Sequence, residues 1–206
     1  MTASMGDRVA VLVSGSGTNL QALIDEPAIR PHLELVLSDR HGVRALDRAG
    51  AAGIPTEVIE PIGFDGRDAF DRAVLDVLRG HGIDMLVSAG YMRVLGHAVL
   101  DVYEGRWLNV HPALLPAFPG THSVRDALEY GVRTSGVTVH LVDEGTDTGP
   151  IVLQEAVEVD PDDDQDSLET KIHQVEHLLL PRAVRALIDD RIVVEGRRVR
   201  IKGEDA

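Results

Sequence analysis

Asn109-Val110-His111-Pro112 and Asp147, within Asp143-Glu144-Gly145-Thr146-Asp147-Thr148-Gly149-Pro150, are the residues of this chain whose types can do chemistry together. An amide N–H can steady a developing oxyanion. An imidazole can donate or move a proton, and a carboxylate can charge that imidazole or accept a proton itself. None of the three is an obvious nucleophile, and the chain has no cysteine. If they meet in space, the chemistry they fit is direct acyl-type transfer between two bound substrates, without a covalent enzyme intermediate. Taken singly, each is ordinary: His111 reads as a histidine beside prolines, and Asp147 as a turn aspartate.

A second chemical feature is Ser14-Gly15-Ser16-Gly17-Thr18-Asn19. Its glycines allow close backbone approach, and a following helix would offer free N–H groups to a phosphate. No Gly-Lys-Ser/Thr follows, so it is not a Walker A loop. Gly15 and Gly17 fit a dinucleotide fingerprint, with Asp39 near the ribose-binding position, but Leu20 occupies the third glycine position. That leaves phosphate binding, dinucleotide binding and a tight structural turn as readings of the loop itself. A third feature, His173-Gln174-Val175-Glu176-His177, spells a zinc-peptidase signature with two histidines one helical turn apart. The only carboxylates downstream that could complete it lie in a short tail.

The elements that must position these residues alternate between apolar runs and helical patterns. Val9 to Val13, Leu33 to Leu37, Thr56 to Ile59 and Ile83 to Val87 read as strands; the first is a continuous apolar run, and Leu33 to Leu37 and Ile83 to Val87 are apolar but for Glu34 and Asp84. Helical spacing falls from about Asn19, near Val43 to Ala52, and over Arg67 to Arg79, where Phe70, Val74, Leu75 and Leu78 share a side. This alternation predicts βαβ units with parallel strands covered on both faces. The pattern then changes. Trp107 to Val110 is a short strand ending in Pro-rich sequence through Pro119-Gly120. Val137 to Val142 and Ile151 to Val159 read as antiparallel strands. Gln165 to Ile188 reads as a long helix interrupted at Pro181. Arg191 to Glu195 and Arg197 to Ile201 form a hairpin around Gly196. Asp160 to Asp166 reads as a solvated loop and helix N-terminus, where carboxylates suit the helix dipole.

The chain has 206 residues, 44% hydrophobic and only 3% aromatic, so its core must rest on Val, Leu, Ile and Ala. A formal net charge of -14 argues against wrapping nucleic acid, which needs a basic surface. With no cysteine there is neither a disulfide nor a zinc-thiolate site. No signal peptide or long apolar run is evident, so a cytoplasmic protein with no membrane partner is expected.

In chain order, Ser14-Gly15-Ser16-Gly17-Thr18-Asn19-Leu20-Gln21, Ala89-Gly90-Tyr91-Met92-Arg93-Val94-Leu95, Leu108-Asn109-Val110-His111-Pro112-Ala113-Leu114-Leu115-Pro116 and the Asp143 to Pro150 segment resemble the phosphoribosylglycinamide formyltransferases, folate-dependent enzymes of purine synthesis. The resemblance runs to about Pro181; the residues before Arg8 and the tail after Arg191 match no functional motif. Within the wider folate formyl group, a tRNA formyltransferase would be expected to carry a further RNA-binding domain.

The resemblance implies a Rossmann-like formyltransferase fold. This is an α/β fold with a mostly parallel central sheet, helices on both faces and antiparallel C-terminal strands. It implies a single domain over 1–206, with a phosphate-binding half at about 8–100, a catalytic and folate-binding half at about 101–190, and a terminal hairpin at about 191–202. It implies Asn109, His111 and Asp147 as catalytic residues, with His140 in support. Gly17, Thr18, Asn19 and Glu176 would hold glycinamide ribonucleotide. Arg67, Met92, Arg93, Val94 and Leu95, with Val142, Asp143, Glu144 and Gly145, would hold the folate. The implied cosubstrate is 10-formyltetrahydrofolate, with no metal required. Partners are then the two small molecules, and the chain is a monomer or a homodimer. Leu141 departs from the family, which often has an aromatic residue there, and Thr18 replaces a common serine.

Overall fold

The computed structural model describes residues 7–204. The expectation of no signal peptide or functional motif at the extreme N-terminus therefore falls largely outside the described residues. The chain divides into two compact units, Met1–Trp107 and Leu108–Ala206.

The first unit runs β1 (Val9–Val13), α1 (Thr18–Asp25), a 3-10 turn (Arg30–His32), β2 (Leu33–Ser38), α2 (Arg44–Ala51), β3 (Thr56–Val58), α3 (Arg67–Gly80), β4 (Met85–Ser88) and α4 (His97–Tyr103). Its strands lie in the order β3-β2-β1-β4, all parallel. β1 is fully buried along its length, as its unbroken apolar run requires of a strand covered on both faces. The chain moves one way from β1 to β3, then crosses back to place β4 on the other side of β1. Right-handed crossovers therefore put α1 and α2 on one face and α3 on the other. The reversal leaves a crevice beyond the C-terminal ends of β1 and β4, the place where open α/β sheets bind ligands.

The second unit begins within β5 (Trp107–His111) and continues through α5 (Ser123–Tyr130), β6 (Thr134–Leu141), β7 (Ile151–Glu158), α6 (Gln165–Ile188), β8 (Ile192–Glu195) and β9 (Arg198–Ile201). β5, β6 and β7 are neighbours in that order, paired antiparallel. β8 and β9 form the expected antiparallel hairpin, with Gly196 at φ 62 in its turn. α6 packs on β6 and β7, burying Leu168, Ile172, Leu179, Leu180, Ala183, Val184, Ala186 and Leu187.

The expected break at Pro181 does not occur: α6 runs unbroken through it. Proline removes one backbone donor and crowds the preceding turn, but here the burial of Leu179, Leu180, Ala183 and Val184 on both sides holds the helix together. The acidic stretch before α6 works as a cap. Asp164 accepts from the Ser167 N–H at 2.9 Å, and Ser167 Oγ accepts from the Asp164 N–H at 3.0 Å, the reciprocal pattern of a capping box.

Candidate active site

β5 and β6 build the centre of the site by register. Side chains alternate along a strand, so Asn109 and His111 share one face of β5 while Leu108 and Val110 turn to the other and are buried. Antiparallel pairing sets Asn109 opposite His140, and His111 opposite Thr138. One face of two strands thus carries an amide and two imidazoles. Thr138 anchors the turn that leaves β5: its hydroxyl donates to Ala113 O at 2.7 Å and accepts from the Leu115 N–H at 3.1 Å.

The carboxylate arrives from the loop between β6 and β7. Asp147 has φ 55, a left-handed conformation that aspartate tolerates better than most residues. The loop around it needs glycine. A Cβ on Gly149 would lie 1.7 Å from Leu141 O, and one on Gly145 would lie 2.0 Å from Thr148 Oγ1. Asp143 closes the loop internally, accepting from Gly145 N–H at 3.1 Å and from the Thr148 hydroxyl at 2.6 Å.

The four side chains meet. Asp147 Oδ2 lies 3.4 Å from His111 Nδ1, and Asp147 Oδ1 accepts from Asn109 Nδ2 at 3.4 Å. Asp147 Oδ2 also accepts from the Gly120 N–H at 2.8 Å. His111 Nε2 lies 2.8 Å from Phe118 O. A carbonyl only accepts, so Nε2 carries a proton and Nδ1 is the nitrogen whose protonation can change. The same logic assigns His140. Its Nδ1 lies 2.8 Å from Leu141 O and carries a proton, and its Nε2 lone pair takes the Asn109 amide N–H at 3.0 Å. His140 thereby fixes which way the Asn109 amide points.

Electrostatics divide the roles. Burial opposes charge on Asp147, but the nearby His140, the Gly120 N–H and His111 outweigh it and hold the carboxyl below its usual value. Asp147 is therefore anionic throughout the neutral range. Burial pushes the His111 imidazole below its ordinary value; Asp147 and the Phe118 carbonyl pull it back only part of the way, and His140 opposes them. His111 is an imidazole whose cation depends on Asp147.

In the first unit the glycine-rich loop leaves β1 at the crevice. Gly17 has φ 70, and a Cβ there would lie 2.6 Å from the Ala45 side chain and 2.7 Å from its Cα. Both conformation and packing therefore demand glycine. α1 starts at Thr18 after Gly17, which has no side chain to cap it, so amides of its first turn can donate to an anion. The loop after β4 is tied to this one: Ser14 N–H donates to Gly90 O at 3.1 Å, and Met92 N–H donates to Ser14 Oγ at 2.9 Å.

The expected folate residues of the first unit also cluster. Arg67 lies against Gly96, with its Nε 3.5 Å from where a Cβ would stand, beside the Met92–Leu95 segment. Met92 and Val94 are more than half exposed, whereas Leu95 is buried. Two buried carboxylates aim the exposed guanidiniums. Asp39 accepts from Arg93 Nε at 3.0 Å, and Asp71 pairs with Arg67 Nε at 3.6 Å while accepting from the Gly96 N–H at 2.7 Å. Asp39 is thus sunk in an ion pair, with 1% of its side chain exposed, and offers nothing to a ribose. This removes the main support for a dinucleotide reading.

Glu176 is buried on α6, 3.9 Å from His173 Nε2. The rings of His173 and His177 stack, with centroids 6.1 Å apart and planes 3° from parallel. Among the described residues, no three His, Cys, Asp or Glu side chains are arranged to hold a metal ion. His122 stands exposed at the start of α5. Val142 to Gly145 lead from β6 into the Asp147 loop and are exposed or half-buried. Two participants were not foreseen from sequence, the Phe118 carbonyl and the Gly120 N–H. Both are backbone groups, and the Pro-rich stretch ending at Pro119-Gly120 was their only signal. Among the described residues, no helix is long and apolar enough to cross a membrane.

The chain is similar to known proteins. The formyl transferase family matches residues 7–184. A phosphoribosylglycinamide formyltransferase of Mycobacterium tuberculosis (strain H37Rv) is 46% identical over 193 residues, covering 92% of this chain and 89% of that protein. The trifunctional purine biosynthetic protein adenosine-3 of Drosophila melanogaster is 46% identical over 187 residues, where the match spans 88% of this chain but 14% of that longer protein. The crystal structure of glycinamide ribonucleotide transformylase 1 from Symbiobacterium toebii superposes with a TM-score of 0.92 at 43% identity, covering 97% of this chain and 95% of that one. The parallel strands and their antiparallel continuation are thus those of a known group of enzymes, and the chain belongs to the formyl transferase family.

Proposed function

We propose that this enzyme transfers the formyl group of 10-formyltetrahydrofolate to the amine of glycinamide ribonucleotide, yielding formylglycinamide ribonucleotide and tetrahydrofolate in purine biosynthesis. The observation that carries this reading is the Asp147 carboxylate reaching Asn109 with one oxygen and His111 with the other, each at 3.4 Å. Membership of the family and the likeness to relatives named for this reaction support it.

The substrate amine attacks the formyl carbon, forming the new C–N bond, and negative charge grows on the formyl oxygen. Asn109 Nδ2 and His111 Nδ1 are the donors for that charge. Both sit at a long 3.4 Å from Asp147, and a weak contact is easily exchanged for an oxyanion. Asp147 stabilises the imidazolium as it forms and accepts the proton lost by the amine, directly or through water. The bond from the formyl carbon to N10 then breaks, and N10 takes up the proton lost by the amine, passed back from Asp147 directly, through His111 or through water. No covalent enzyme intermediate is needed.

Gly17, Thr18 and Asn19 hold the ribonucleotide phosphate at the α1 N-terminus, and Glu176 holds the ribonucleotide. Arg67 and Arg93, aimed by Asp71 and Asp39, suit the carboxylates of a folate. Met92, Val94 and Leu95 supply apolar contact, and Val142, Asp143, Glu144 and Gly145 surround the pteridine. The whole chain acts as one formyltransferase in the cytoplasm, on small molecules only.

The test is turnover. The protein is mixed with 10-formyltetrahydrofolate and glycinamide ribonucleotide, and tetrahydrofolate release is followed. Turnover with this pair supports the reading. Turnover only with another amine acceptor overturns the substrate, and none with any acceptor overturns the reaction.

A further inference from the structure

The hairpin β8–β9 lies beyond the residues that match the family, yet it is built into the second unit. β9 packs against β7, and Ile201 is 8% exposed. At its base, Glu204 accepts from Arg182 of α6 at Nε, 3.0 Å away, and at Nη2. Arg191 approaches the same carboxylate at 3.7 Å, and Lys202 N–H donates to Arg191 O at 2.9 Å. The base is therefore fixed to α6 and to the sheet.

The tip points to the catalytic loop. Arg197, next to the turn glycine, donates from Nη2 to Thr148 O at 2.8 Å. Thr148 directly follows Asp147. It is held on its side-chain end by Asp143, at 2.6 Å from Thr148 Oγ1, and on its carbonyl by the hairpin. Asp147 itself sits in a left-handed conformation, with φ 55. Such a conformation costs energy for a residue with a side chain and persists where its neighbours are held. Gly145 and Gly149, on either side, have close contacts but no side chain with which to resist a shift of the loop.

We propose that the hairpin β8–β9 is a strut for the catalytic loop, with Arg197 as a positioning residue that fixes the peptide following Asp147. Arg197 does not touch the reacting atoms. It acts by keeping both Asp147 oxygens on their partners, a placement where small displacements cost rate. The proposal rests on the role given to Asp147 above.

The test compares Arg197→Ala, Arg197→Lys and, as a control, the neighbouring Arg198→Ala. Arg197→Ala lowers kcat about three- to ten-fold, the range expected for one exposed hydrogen bond, with KM for the ribonucleotide and the melting temperature unchanged. Arg197→Lys, which keeps one charged donor, restores most of the loss. Amide hydrogen exchange, read without turnover, accelerates over residues 144–149 in Arg197→Ala and not in Arg198→Ala. Wild-type exchange in that loop together with wild-type kcat would overturn the strut, as would an equal effect from Arg198→Ala. The exchange readout stands apart from the chemistry. An active Asp147→Asn enzyme with a loosened loop in Arg197→Ala would sink the role of Asp147 and keep the strut.

Discussion

His111 Nδ1 lies 3.4 Å from Asp147 Oδ2, while the other ring nitrogen is engaged by Phe118 O at 2.8 Å. The short contact fixes the ring, and the long one leaves a nitrogen whose proton can be shared. Burial lowers the imidazole's basicity, and Asp147 partly restores it. The pair is therefore set to become an ion pair when negative charge arrives beside it, rather than resting as a permanent one.

The pH dependence follows from these directions. The His111 value lies below its ordinary 6.5, so the unfolded chain takes up this proton first. Stability falls as pH drops through 6.5, and the loss is complete below the lower folded value. Asp147, also depressed, withdraws its contribution at more acid pH, as pH falls from 3.8 through its folded value. An NMR titration of the His111 ring should give a pKa under 6.5. In Asp147→Asn it should fall further, because the supporting charge is gone; a rise there would mean that the carboxylate does not stabilise the cation.

Asn109 offers an oxyanion donor whose orientation is set by His140 at 3.0 Å. Asn109→Ala should lower kcat by about two to three orders of magnitude, as the loss of one such donor does elsewhere. KM for both substrates should change little. Steady-state kinetics decide it. A variant that loses affinity but keeps kcat would make Asn109 a binding residue only.

Gly149 has no room for a side chain, with Leu141 O 1.7 Å from the place of a Cβ. Gly149→Ala must move backbone against backbone. It should cost about 1–3 kcal/mol in a denaturant melt, with kcat reduced more than phosphate affinity, because the loop carries Asp147. Unchanged kcat would show that the loop conformation is not critical.

How far the sequence disclosed this protein depended on the kind of signal. The buried strands β1, β2 and β4 were legible because short, mostly apolar runs, unbroken in β1, leave few alternatives. α4 and α5 were not foreseen. They have 7 and 8 residues, too short for a helical period to stand out, and α5 emerges from a Pro-rich loop. β6 begins at Thr134, earlier than expected, because Thr134-Ser135-Gly136 carries no strand pattern of its own and is recruited by pairing with β7. Pro181 misled because tertiary burial overrode a local preference. Asn109, His111 and Asp147 were legible as types, and the strand alternation of Asn109 and His111 already put them on one face. The Phe118 and Gly120 contacts were not, since backbone groups leave no mark in side-chain identity. Arg197 looked like any tail arginine until the hairpin placed it.

Asp147→Asn keeps the shape of the side chain and removes its charge. The measurement is kcat for formyl transfer beside ribonucleotide affinity by calorimetry on the same folded variant. Loss of about two orders of magnitude or more in kcat, with ribonucleotide affinity close to wild type, is the predicted result. A variant that turns over at the wild-type rate would show that the Asp147 charge has no part in the chemistry.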